Sequence, residues 1–136
     1  MKVFVDTSAW VAYFDKKDTN HENALNIWQQ LKRERAILCT TDYILDETLT
    51  LLKIRAGSDA SLIAVNAIIK SPSTEVIWVK EKLFMGALKL FEKYKDQRFS
   101  FTDCISFEVM KISNIQKAFA FDVDFLKSGF EVFDIN

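Results

Sequence analysis

Apolar positions along the chain repeat with two different periods. "KVFV" (2–5) is a short β-branched and aromatic run, which predicts a first, central strand. "TSAWVAYF" follows as a short helix. "DTNHENALNIWQQLKRERA" spaces Ala24, Leu25, Ile27, Trp28 and Leu31 as an amphipathic helix does. "AILCT" (36–40) predicts a strand, and "TDYILDETLTLLKIRAG" a helix with Thr41 or Asp42 as its start signal and Gly57 as its stop. Ser58 opens another helix through about Lys70, Pro72 marks a turn, and "EVIWV" (75–79) is a strand. Helices over "KEKLFMGALKLFEKYKD" and "SFTDCISFEVMKI" precede a strand at "KAFAF" (117–121) and a short last one at "FEVF" (130–133).

Strands alternating with helices imply right-handed crossovers, hence an α/β fold with a mainly parallel five-stranded sheet covered on both faces. The 136 residues read as one domain, 1–136, without internal repeat, low-complexity tract or linker. In such sheets ligands gather at the carboxyl ends of the strands, where the strand order reverses.

Composition narrows this further. Three Gly and one Pro argue against disorder, but twelve Phe and three Trp are more than a small core takes. Either the core is rich in Phe or a second chain covers some apolar surface. With a formal net charge of −1, any nucleic acid must be met by a local basic patch or through bound cations. Lys16, Lys17, Lys53, Arg55, Lys93, Lys95 and Arg98 are the candidates for phosphate contact, although scattered basic residues mostly just solvate a surface. Cys39 and Cys104 have neither zinc-site spacing nor the density of a disulfide scaffold, and read as buried thiols of a reducing compartment. The opening "VFV" reaches an acid at residue 6, too soon for a signal peptide or membrane span, so a cytoplasmic protein with no membrane association is expected.

The acids carry the candidate chemistry. Asp6 follows the first strand and precedes a helix, where it is either an N-cap or a site carboxylate; Thr7 or Ser8 could cap equally well. On a helical wheel Ile44, Leu45, Leu49, Leu51, Leu52 and Ile54 form one apolar arc, with Glu47 inside its edge and Asp46 outside. A carboxylate on the core side of a helix must be paired or ligated, unless it reaches past the edge to solvent. Asp103 closes the capping-box pattern "SFTD" begun by Ser100, and also lies on a helix first turn that can overhang the strand ends. Asp122 and Asp124 end "KAFAF", as turn residues or as site carboxylates. If the backbone stays extended there, Asp124 points the same way as Asp122, about 6–7 Å farther along. Together these positions can converge on one rim. Clustered carboxylates repel one another, and a hard divalent cation, Mg²⁺ or Mn²⁺, removes the conflict. No His or Cys joins the set, which argues against zinc.

"VFVDTSAWVAYFD", "LDETLTLL", "FSFTDCISFEVM" and "AFAFDVDF" resemble, in order and spacing, the four acidic motifs of PIN-domain ribonucleases. Within that superfamily the chain is most similar to single-domain VapC-type toxins of toxin–antitoxin pairs. The resemblance implies a five-stranded parallel sheet between helices and Mg²⁺- or Mn²⁺-dependent RNA cleavage. It also implies a homodimer and inhibition by a cognate VapB-type antitoxin. Its acids correspond to Asp6, Glu47, Asp103 and Asp122, with Asp124 matching an acid found in some members. Ser8 and Thr102 match small polar positions near the site.

Two other classes compete. Receiver or haloacid-dehalogenase domains also place acids at parallel strand ends, but want paired acids at the first strand; "VDTSA" supplies one. A non-catalytic RNA-binding module would not need the intact acidic set, and a stand-alone PIN nuclease in RNA processing would share it. His21 reads as structural in preference to a role near substrate, Trp10 and Tyr13 as core or partner contacts in preference to base stacking, and Cys104 as a structural thiol with no histidine partner in sequence reach.

Overall fold

Val3, Phe4 and Val5 have no exposed surface, which is what a strand paired on both sides and covered on both faces requires. In the computed structural model, which describes residues 1–133, they belong to β1 (Lys2–Val5) at the centre of the sheet. The other elements are α1 (Thr7–Phe14), α2 (His21–Arg33), β2 (Ile37–Thr41), α3 (Asp42–Ala56), α4 (Ser58–Lys70) and β3 (Thr74–Ile77). Then come α5 (Glu81–Lys93), α6 (Phe101–Ile112), β4 (Lys117–Phe119), α7 (Asp124–Lys127) and β5 (Glu131–Val132).

The five strands lie in the order β3-β2-β1-β4-β5, and all are parallel. Phe4 faces Cys39 on one side and Ala118 on the other. The chain builds outward from β1 through β2 to β3, then returns to place β4 on the opposite flank. The strand order therefore reverses between β1 and β4, and a crevice opens beyond their carboxyl ends.

Most elements follow their local signals. Thr41 caps α3 by accepting from the Ile44 N–H (3.2 Å), and Gly57 ends that helix at φ +97°, a conformation a Cβ disfavours. Ser100 and Asp103 form a complete capping box on α6. Part of the Phe surplus is core: Phe107 meets Phe99, Phe125 and Phe130 at centroid distances of 5.1, 5.2 and 5.8 Å. Another part, Phe84 and Phe91, is exposed. Along α5 only Ala87 is fully buried, and Phe84, Met85, Leu88 and Phe91 are exposed, as is Trp78 ahead of the helix.

Two expectations need correction. In α3 the buried positions are Ile44, Leu45, Thr48 and Leu52, whereas Leu51 is partly open and Ile54 is 76% exposed. The wheel ranked side chains by polarity, but the Thr48 hydroxyl donates to the Ile44 carbonyl (2.7 Å) and so satisfies itself within the core. In addition, β4 ends at Phe119, and residues 124–127 form a helical turn where an extended chain was expected. Among the described residues no helix is long and apolar enough to cross a membrane.

Candidate active site

Asp6 stands one residue past β1, with its N–H still donating to the Phe119 carbonyl (3.0 Å) of β4. Its carbonyl accepts from the Ala9 and Trp10 N–H groups, starting α1. Its side-chain Oδ2 accepts from the Ser8 N–H (3.1 Å) and the Ser8 hydroxyl (2.7 Å). Ser8 Oγ in turn accepts from the Phe121 N–H (3.0 Å), tying the first acid to the segment after β4. Only 6% of Asp6 is exposed. Burial lifts its carboxyl to about 6 against the pull of the two Ser8 bonds, and the charges of Glu47 and Asp122 push the same way as burial.

Glu47 projects from α3, and its Oε1 accepts from the Thr7 hydroxyl (2.7 Å). Asp103 sits in the first turn of α6. Its Oδ2 accepts from the Ser100 N–H (3.0 Å), which leaves the second carboxylate oxygen outside the capping box. Burial raises this carboxyl to about 7, with Asp6, Asp124 and Asp122 adding repulsion and the Ser100 N–H opposing it. Asp122 Oδ1 accepts from the Asp124 N–H (3.0 Å), an Asx-type turn that curls the chain into α7. That turn brings Asp124 back. One oxygen each from Asp103, Asp122 and Asp124 lies within 4.8 Å of the others. Asp124 is thus an integral member of the acidic group, not a carboxylate displaced outward along a strand. Its carboxyl is raised, chiefly by burial and then by the neighbouring Asp122 charge.

All five acids and Ser8 line one cleft of about 700 Å³ beyond the carboxyl ends of β1 and β4. Thr102 does not; it lies on α6, where its carbonyl accepts from Ser106 Oγ (3.1 Å). Sequence reasoning missed Thr7 as the partner of Glu47, and missed Asp18, Asn20 and Asp46 as lining residues. Thr7 and Glu47 are separated by forty positions, so no local pattern could pair them. Asp46, outside the apolar arc, still borders the cleft because the cleft wraps around that side of α3.

The residues read as structural have structural contacts. His21 Nδ1 lies 2.8 Å from the Ala12 carbonyl, Trp10 is buried with its indole N–H toward Thr40 Oγ1 (3.4 Å), and Tyr13 packs on Trp28. Burial, with the Asp103 charge adding to it, raises the Cys104 thiol to about 11 and so keeps it protonated at neutral pH.

Chemically, the cleft gathers oxygen donors only, partly buried and mutually repelling. A hard divalent cation suits that donor set, and bound anionic phosphate without such a cation does not.

The PIN domain model matches residues 3–131. The chain is 36% identical over 128 residues to the 23S rRNA-specific endonuclease VapC20 of Mycobacterium tuberculosis, covering 94% of this chain and 95% of that one. It is also 29% identical over 109 residues to a VapC ribonuclease of Archaeoglobus fulgidus, covering 78% of this chain and 68% of the relative. The crystal structure of M. tuberculosis VapC20, described as a Sarcin-Ricin loop cleaving toxin, superposes with a TM-score of 0.87 at 35% identity over 94% and 95% of the two chains. VapBC2 of Rickettsia felis, bound to a promoter DNA fragment, shares the fold with a TM-score of 0.72 at 12% identity over 98% of each chain. The chain belongs to the PIN-domain family, in its VapC branch.

Proposed function

We propose that this single-domain protein is a divalent-metal-dependent endoribonuclease and the toxin of a VapBC-type pair. The observation that carries the reading is the convergence of Asp6, Glu47, Asp103, Asp122 and Asp124 on one cleft at the sheet's switch point. Asp103, Asp122 and Asp124 would hold Mg²⁺ or Mn²⁺, with Asp6 and Glu47 completing the charge around it. When bound, such an ion offsets phosphate charge and acidifies water for attack on phosphorus.

The chain's own residues prepare that chemistry. Ser8 holds the Asp6 carboxylate by two hydrogen bonds and fixes its distance from the segment leading to Asp122. Thr7 restrains the rotamers of Glu47, so that this acid faces the cleft and not solvent. Ser100 orients Asp103 through the capping box. Phosphodiester hydrolysis also needs a proton taken from water and one returned to the leaving oxygen, and carboxylates at hydrogen-bond range can serve both transfers.

The near-full-length likeness to a 23S rRNA-specific relative supports ribosomal RNA as the first substrate to test. The exposed apolar stripe of Phe84, Met85, Leu88 and Phe91 supports a homodimer, and the likeness to VapC relatives supports a VapB-like antitoxin as the inhibiting partner and action in the cytoplasm. The test is cleavage of purified 23S rRNA by the full chain with Mg²⁺ or Mn²⁺, with EDTA, and by Asp122→Asn. Cleavage that needs metal and Asp122 is the expected result. Undiminished cleavage in excess EDTA sinks the metal mechanism, and RNA binding without cleavage under any metal favours a non-catalytic module.

A further inference from the structure

Among the basic side chains singled out from the sequence, only Arg55 and Arg98 border the acidic cleft. They are not equivalent. The Arg55 guanidinium lies 2.9 Å from Asp18 and 3.7 Å from Asp15, and so straps α3 to the segment between α1 and α2. Arg98 lies between α5 and α6, five residues before Asp103, and is exposed. Among the described residues it forms no ion pair, although seven carboxylate side chains line the same cleft. A polyanion entering that cleft meets repulsion from each acid that neither a central cation nor Arg55 compensates, such as Asp46. A phosphate next to the scissile one therefore needs a cation of its own. A guanidinium presents a fork of donors matched to phosphate oxygens, and Arg98 is the one at this cleft not already committed to a carboxylate among the described residues.

We propose that Arg98 binds the RNA substrate by gripping a phosphate that flanks the scissile bond, while Arg55 is a structural strap. The inference rests on the nuclease reading for the identity of the polyanion. It is tested in the chain carrying Asp122→Asn, which slows cleavage enough for equilibrium binding to be read, by fluorescence anisotropy of a labelled single-stranded RNA oligonucleotide in magnesium buffer across a KCl series. Adding Arg98→Ala weakens binding about tenfold and lowers the slope of log affinity against log salt by about 0.7, one phosphate contact in a single strand. Arg98→Lys restores the slope but not the full affinity, because the charge returns without the fork. Lys95→Ala removes the same charge from the same connection outside the cleft, and leaves both quantities unchanged. In the cleavage-competent chain, Arg98→Ala raises KM about tenfold with kcat within about threefold, as loss of uniform binding requires.

Unchanged affinity and slope in Arg98→Ala overturn the inference, as does an equal loss in Lys95→Ala. An RNA-binding wild type that cleaves nothing fails the nuclease reading and leaves the Arg98 comparison standing. Normal cleavage with an unchanged KM in Arg98→Ala fails the Arg98 assignment alone.

Discussion

Strands β1 and β2 lie side by side, end at the same edge of the sheet, and each runs directly into a helix, but with different chemistry. At the end of β2, Thr41 Oγ1 caps α3 and Thr40 Oγ1 lies 3.4 Å from both the Val5 carbonyl and the Trp10 indole N–H. Both threonines are fully buried and neutral, and their hydroxyls have partners. At the end of β1, Asp6 makes the equivalent cap through the Ser8 N–H, yet does so with a buried carboxyl lifted to about 6. The neighbour demonstrates that capping at this edge does not require a charge. A buried carboxyl held at an electrostatic cost, where a hydroxyl would cap as well, is what supports the catalytic role proposed for Asp6.

The comparison breaks most sharply by exchanging the two solutions. Asp6→Thr keeps a capping hydroxyl and removes the acid, so RNA cleavage should fall by a factor of at least about 100, the scale of losing one charge-organising group in an active site. Thr41→Ala should leave cleavage essentially intact and lower stability by about 1 kcal/mol through the lost cap. Initial rates paired with urea melts decide it. An active Asp6→Thr protein would reduce Asp6 to a helix cap.

A second test concerns the two aspartates that follow β4. Since Asp122 and Asp124 share one cluster with Asp103, Asp122→Asn and Asp124→Asn should lower activity to a similar degree, each by about 100-fold. Cleavage rate titrated against Mg²⁺ for both variants is the measurement. A mild Asp124→Asn defect cured by more metal would return Asp124 to a peripheral role.

Smaller effects are expected around α3. Glu47→Ala should cost activity, Thr7→Val about tenfold less than that because it only frees the rotamer of Glu47, and Asp46→Ala least, since Asp46 is exposed at the cleft border. Equal losses in Glu47→Ala and Asp46→Ala, with folding intact, would contradict this ranking.

The smallest effect is on stability and pH. Asp6 and Asp103 have carboxyls raised from 3.8 to about 6 and about 7, so the folded protein binds their protons more tightly than the unfolded chain does. Their contribution is complete below the ordinary value and is lost as pH rises through the raised ones. The metal-free protein should therefore melt lower at pH 8 than at pH 5, and Asp103→Asn should flatten that decline. Added Mg²⁺ should recover stability at pH 8 in the wild type more than in Asp103→Asn. A metal-free melting temperature independent of pH would mean that burial, with the repulsion added to it, does not raise these carboxyls as described.

Much of the architecture was legible because it depends on neighbours in sequence. Helix α4 begins at Ser58 and ends at Lys70 as its local signals indicate, and Thr41, Gly57 and Ser100 delimit helices through contacts within a few residues. The alternation of short β-rich runs with amphipathic helices determined by itself a parallel α/β sheet with β1 at its centre, since handed crossovers leave few other arrangements. The acidic motifs, in order, pointed to the edge where ligands bind. Tertiary structure alone decided the rest. Whether the Asp122 and Asp124 carboxylates meet Asp103 depended on the fold bringing the segment after β4 against the first turn of α6, and whether Thr7 holds Glu47 depended on packing α1 against α3. The same holds for the arginines: composition treats Arg55 and Arg98 alike, and only the approach of Asp15 and Asp18 engages one and leaves the other open to the cleft. Hydrogen bonds and ion pairs act over a few ångströms, so contacts between residues distant in sequence exist only after the sheet has brought them within range.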